Sequence, residues 1–317
     1  MAEKHPETHV GLGTLLGAIA AICYTVSILA LRYVARPDDA DWAIWMSCLK
    51  AVPAGVAACV AMAYHTTQGR NPWPSLKTCI VLFGVGLFMQ FAGNVSFQIG
   101  LGVGGIGLTV PLSFAAMLIS AGIAGRLALG EVISRRSLFA MIVLIASIAV
   151  LSLGASDATA KIAETSAVDV ILLSIFSSCL AGIGWALPGV AIRKAVTGDV
   201  LVSASVFFLS NAGVVGLGVL SWSRMGVDGM SNVTADEWQI MAVAGISNAV
   251  AFYSVSHALR FISVFRVNLL NATQIGMAAI GGVALFSEQM TVWLVVGLVL
   301  TIAGLLLMDH RKTVAEE

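Results

Sequence analysis

Charged side chains are scarce in this sequence. Asp, Glu, Lys and Arg make up 11% of the 317 residues, whereas a soluble domain carries about 25%. The chain therefore has too little charge to cover a surface that faces water. The formal net charge is zero, so the positions of the charges matter more than their sum, and we expect no nucleic-acid partner.

Motifs that would support chemistry within a membrane are also missing from the sequence. It contains no HExxH, no GxSxG, no paired aspartates at mid-span and no nucleotide-binding loop. The five cysteines form no CxxC pair and lie in or beside apolar runs, which is typical of small core residues. We therefore expect no enzymatic activity, no cofactor and no metal site. An intramembrane enzyme or a receptor is the alternative from a different class.

Long apolar segments are what the sequence has in abundance. Hydrophobic residues make up 58% of the chain, and the mean hydropathy is +0.94. Runs of about 20 apolar residues recur, which is the length of a helix that crosses about 30 Å of hydrocarbon. These features predict an all-α integral membrane protein with ten transmembrane helices in the lipid bilayer. The predicted spans are 11–34, 43–64, 78–100, 105–127, 138–154, 168–191, 200–222, 238–258, 264–286 and 291–308.

The distribution of Lys and Arg predicts how these helices are oriented. The loops and helix ends on the side of the N-terminus carry 12 of these residues, and those on the other side carry 4. Positive residues accumulate in cytoplasmic loops. We therefore expect both termini to be cytoplasmic, in a multi-pass protein of the plasma (inner) membrane.

An internal repeat is visible in the sequence. The segment 101–131 resembles the segment that begins 157 positions later, and this shift places Glu131 on Glu288. In both copies an apolar run ends at this glutamate and a second apolar run follows. A similar shift of 161 positions places Tyr24 on Trp185.

The repeat predicts the domain organisation. A polar linker at 157–167 separates a first half, 1–156, from a second half, 168–317. Each half has five predicted spans, and because five is odd, the second half enters the membrane from the opposite side. The sequence therefore predicts two inverted five-helix repeats, related by an axis in the membrane plane.

This arrangement resembles the drug/metabolite transporter superfamily, and its EamA-type branch in particular. The residues that carry the resemblance are Gly130–Glu131 at a helix end, Trp185 among small residues and the basic Lys50 in the second span. The resemblance implies a secondary-active carrier that works by alternating access, as an exporter or exchanger. The proline that the family has midway along the fourth helix of each half is replaced by Met117 and Gln274, so the position of a kink stays open.

Polar and aromatic side chains within the spans are candidates for a substrate site. Mid-span amides can serve only to hydrogen-bond one helix to another. Here, however, six of them concentrate in spans that the repeat relates, and a substrate site between inverted repeats requires polar groups from such spans. Amides both donate and accept hydrogen bonds, which suits amino-acid-like or other neutral or zwitterionic metabolites. The candidate substrate-binding residues are Tyr24, Lys50, Gln90, Asn94, Trp185, Asn248, Tyr253, Asn271 and Gln274.

Lys50 supports an alternative substrate class. It lies about eight residues into its predicted span, which corresponds to a depth of roughly 12 Å. Its ammonium could reach the outer interface along its flexible stem, or it could face the cavity and bind an anionic metabolite.

Glu131 and Glu288 end helices rather than lying at mid-span. At such a position a carboxylate stabilises the N-terminus of a neighbouring helix, so we interpret both as helix caps, with a proton relay as the alternative. Protons as coupling ion and a homodimer are further hypotheses about the partners of this chain.

Overall fold

The protein is described by a computed structural model that covers residues 6–36, 39–131, 135–136, 138–143, 145–147, 149–150, 168–198, 200–286 and 292–307. Every regular element in these residues is a helix, and no strand occurs among them. The predicted linker 157–167 and Glu288 lie outside the described residues.

The described helices follow one another along the chain. In chain order they are α1 (Pro6–Val34), α2 (Ala40–Thr67), α3 (Leu76–Phe88), a π-helix (Met89–Val95), α4 (Ser96–Leu129), α5 (Leu138–Ser147), α6 (Val168–Val196), α7 (Val202–Ser231), α8 (Ala235–Ala258), α9 (Val264–Asn271), α10 (Gln274–Phe286) and α11 (Val292–Leu306).

Eight segments of the described chain are long and apolar enough to cross a membrane. They correspond to predicted spans one to four and six to nine, and the ninth, Val264–Phe286, agrees with its prediction to the residue. At the other two predicted spans the described helices are short: α5 runs from Leu138 to Ser147, and α11 has 15 residues. The all-α membrane fold is therefore confirmed, while the count of ten crossings stays a prediction.

Side chains that precede the helices set where several of them begin. Asp39, Ser75 and Ser263 each accept a hydrogen bond from a backbone N–H in the first turn of α2, α3 and α9. At the start of α8, Thr234 and Glu237 bond each other's backbone N–H in a capping box. Such caps satisfy N–H groups that have no partner within the helix.

The glycine-rich segment 100–107 turns the chain between the third and fourth predicted spans. Gly105 has a φ of +65°, in the left-handed region that glycine adopts without a steric penalty. The parts of α4 before and after this turn pack closely against each other. A Cβ on Gly100 would lie only 2.8 Å from the side chain of Thr109.

Helices from the two predicted halves pack against each other. α1 packs on α8, α2 on α7, and α4 on α6. α6 approaches the π-helix closely at Gly184, where a Cβ would lie 2.7 Å from Cα of Gly93. Small residues allow membrane helices to approach in this way. Large apolar side chains such as Leu15, Val219 and Leu285 point outwards and are more than half exposed, as the lipid-facing surface of a membrane protein requires.

Two departures from regular α-helix lie in the interior. The π-helix carries Gln90 and Asn94, and such π-helical turns occur frequently at functional sites. In the second half, the helix is interrupted at Ala272 and Thr273, between the end of α9 and the start of α10. The break therefore lies directly before Gln274, where the family resemblance implies a proline.

Candidate functional site

A cavity lies among the helices in the interior of the protein. It holds about 1000 Å³ of empty space, including its open mouth, and its wall is built by α1, α2, the π-helix, α4 and α6 to α10. Both predicted halves therefore contribute to one site.

Eight of the nine predicted site residues line this cavity: Tyr24, Lys50, Gln90, Asn94, Trp185, Asn248, Asn271 and Gln274. Tyr253 does not belong to the lining. Its hydroxyl is buried and has no hydrogen-bond partner among the described residues.

A hydrogen-bond network crosses one wall of the cavity. The ammonium of Lys50 donates to Asn94 Oδ1 at 2.8 Å, and Asn94 Nδ2 donates to Gln90 Oε1 at 2.6 Å. Gln90 Nε2 in turn donates to the backbone carbonyl of Leu209 at 3.3 Å. Lys50 therefore points inwards to the π-helix and does not reach for the membrane interface. It lies ten residues into α2, or about 15 Å from its start.

An aromatic group covers the neighbouring wall. Trp185 donates from Nε1 to Asn94 Oδ1 at 3.1 Å, so the indole is tied to the same network. Its ring lies 4.7 Å from the ring of Phe97 and 6.3 Å from that of Phe114, measured between centroids. The wall is thus aromatic, with one polar edge at the indole N–H of Trp185.

The other polar wall is formed by amides on α9 and α10. Asn268, Asn271 and Gln274 all line the cavity and are at least nine-tenths buried. Asn268 Nδ2 and Asn271 Oδ1 have no hydrogen-bond partner among the described residues. Buried polar groups are nearly always paired, and this wall contains one buried donor and one buried acceptor without a partner among the described residues.

The lining residues fall into pairs that are separated by nearly constant distances in sequence. Twenty of the 26 lining residues form ten pairs, at offsets of 157 to 161 positions. The pairs are Tyr24 with Trp185, Ser27 with Pro188, Ile28 with Gly189, Leu31 with Ile192, Lys50 with Ser210, Gln90 with Asn248, Asn94 with Phe252, Phe97 with Val255, Phe114 with Asn271, and Met117 with Gln274.

Glu131 lies at the edge of this arrangement. Its Oε1 accepts a hydrogen bond from the backbone N–H of Val264 at 3.1 Å and lies 3.9 Å from Nε of Arg193. The carboxylate is therefore at a helix N-terminus, as expected of a cap. That helix is α9, in the other predicted half, and not the helix that follows Glu131 in sequence.

Several cavity residues were not among the predicted set. Nothing in the sequence distinguishes Ser210 and Phe252 from the other serine and phenylalanine residues of the spans. The repeat, however, identifies them as the counterparts of Lys50 and Asn94. Asn268 did stand out as a mid-span amide, and its position in the wall depends on how α9 is rotated. Among the described residues, no cluster of His, Cys, Asp and Glu could hold a metal ion.

The fold and the cavity define an integral multi-pass membrane protein with a solute-sized interior site. Residues 172–308 match the model of the EamA-like transporter family. The resemblance predicted from the sequence is thereby confirmed over this part of the second predicted half.

Comparison with solved structures concerns the fold of the chain. A structure titled "Crystal structure of protein" is similar over 93% of this chain and 95% of its own length, with a TM-score of 0.66. The two sequences are 15% identical, so this likeness concerns the fold. No curated protein matches the sequence.

Proposed function

We propose that this protein is a secondary-active transporter of small polar organic metabolites, working as an exporter or exchanger. It carries amino-acid-like or other neutral or zwitterionic solutes through the central cavity. Transport proceeds by alternating access between two inverted five-helix halves, 1–156 and 168–317, in the plasma (inner) membrane.

The paired lining of the cavity is the observation that carries this proposal. Ten pairs at nearly one sequence offset are what two structurally similar halves produce when they meet at a shared axis. Carriers built from inverted repeats place their substrate site at such an interface, near the middle of the bilayer. Rocking of one half against the other then exposes the same residues to either side in turn.

Two arginine contacts support the same symmetry. Arg32 Nη1 donates to the carbonyl of Leu101 at 3.3 Å, and Arg193 Nη1 donates to that of Ile262 at 2.9 Å. The donors are 161 positions apart, and so are the acceptors. An equivalent contact therefore occurs once in each half.

The alternative from a different class, an intramembrane enzyme, fits the cavity less well. The lining residues of the described chain include no Asp, Glu, His or Cys. Such groups usually supply the base in nucleophilic catalysis and the ligands of a catalytic metal.

Transport in proteoliposomes tests the proposal directly. Vesicles loaded with one candidate solute should take up its radiolabelled form by counterflow. Gln90→Ala and Asn248→Ala should each weaken substrate binding by about 1–3 kcal/mol, the cost of leaving a buried partner unsatisfied. Residues that only join helices would show reduced thermal stability with unchanged affinity per folded molecule.

Cysteine labelling tests the predicted orientation. In a cysteine-free background, Asp228→Cys should react with an impermeant maleimide from outside intact cells, and Arg70→Cys should not. Both positions are exposed. The reverse pattern would contradict the cytoplasmic location of the termini.

A further inference from the structure

Lys50 is a basic residue that lines the cavity without an acidic partner among the described residues. Its exposed fraction is 5%, and the ion pairs found in the described part of the chain do not include it. An ammonium group has three N–H donors, and the one recorded acceptor is Asn94 Oδ1. The other two N–H donors of Lys50 have no acceptor recorded among the described residues, and the side chain lines the cavity.

A neutral amide does not compensate a buried charge. Removing a charged group from water is costly unless a group of opposite sign accompanies it. Asn94 Oδ1 also accepts from Trp185, so it is shared between two donors. The described wall therefore has no anionic side chain beside Lys50, and an anionic solute can approach Lys50 from the cavity.

The composition of the lining limits the charge of that anion. Within the described lining, Lys50 is accompanied by no Arg, no second Lys and no carboxylate. Its counterpart in the other half is Ser210, so the positive charge lies on one side of the symmetric cavity. A single negative charge balances this site, whereas a phosphate monoester carries about −1.5 to −2.

The rest of the wall indicates what the anion is attached to. Trp185, Phe97 and Phe114 form an aromatic wall next to the Lys50 network. On α9, Asn271 lines the same cavity, and its amide can accept a hydrogen bond from an ammonium or hydroxyl elsewhere on the same solute.

We infer that Lys50 binds the carboxylate of the transported solute, whose apolar body packs on the aromatic wall. The cargo is then a monocarboxylate, either a simple anion or a zwitterion. This inference rests on the proposed carrier function and specifies its substrate class.

Matched pairs of solutes isolate the role of the carboxylate. The probes are hexanoate with hexanamide, 3-phenylpropionate with its amide, L-leucine with L-leucinamide, and hexyl phosphate. Dissociation constants are measured by calorimetry on the purified full-length protein, and counterflow of the same solutes is measured in proteoliposomes. The variants are Lys50→Met, Lys50→Gln, Lys50→Arg and, as a charge-matched control at an exposed position, Lys77→Gln.

At least one carboxylate should bind the unmodified protein more tightly than its amide. Lys50→Met should weaken that carboxylate by about 10- to 100-fold, the range expected for a lost charge-assisted hydrogen bond, and leave the amide unchanged. Lys50→Arg should retain the preference, and Lys77→Gln should have no effect. Lys50→Gln provides the same readout if Lys50→Met does not fold, because it keeps a donor for Asn94.

Three results would overturn the inference. They are equal binding of carboxylates and amides, an equal loss of both in Lys50→Met, and tighter binding of hexyl phosphate than of hexanoate. If no carboxylate binds but neutral or cationic solutes show counterflow, the Lys50 subsite is wrong and the carrier stands. If no solute of the panel binds or moves, the carrier proposal fails with it.

Discussion

Replacing Asn94 by Leu removes the centre of the cavity network with little change in volume. Three polar groups lose their partner: the ammonium of Lys50, the indole N–H of Trp185 and Oε1 of Gln90. Hydrogen bonds between membrane helices average about 0.6 kcal/mol, whereas each buried group left unsatisfied costs about 1–3 kcal/mol. Because water in the cavity can reach some of these groups, we expect a loss of about 2–5 kcal/mol in the free energy of unfolding.

Thermal unfolding of the purified protein in one detergent measures this loss. Asn248→Leu is the matched control, because Asn248 lines the same cavity but no hydrogen bond of its side chain is recorded among the described residues. We expect its midpoint to stay within the error of the unmodified protein. A midpoint for Asn94→Leu equal to that of Asn248→Leu would refute the network as a source of stability.

Two further predictions concern contacts between the halves. Glu131→Ala removes the acceptor for the N–H of Val264 and should destabilise the protein by about 1 kcal/mol, as losing a helix cap does. Glu131→Gln should retain both stability and most transport. Loss of transport in a folded Glu131→Gln variant would instead favour the proton relay. Gly93→Ala should cost about 1–3 kcal/mol and weaken solute binding, because its Cβ would lie 2.8 Å from the Trp185 ring. Gly84→Ala, where a Cβ meets nothing within 4 Å, should change neither the melting midpoint nor binding.

The membrane class and most of the helices could be predicted from the sequence because both depend on local properties. A run of apolar residues long enough to cross a bilayer is helical wherever it packs, since backbone groups in lipid must bond within the segment. The segment Val10–Val34, within the continuous helix α1, is an example. Gln90 and Asn94 are four positions apart in sequence, a spacing that places both on one helix face, and the two side chains are hydrogen-bonded.

The partners of individual side chains were decided by the tertiary structure. In a membrane, the face of a helix that meets lipid and the face that meets protein are both apolar, so hydrophobic periodicity does not determine how a helix is rotated. Rotation and packing take Tyr253 out of the cavity lining and place Asn268 in it. They also bring Glu131 to Val264, 133 positions away in sequence, because that contact depends on how α4 meets α9 across the two halves.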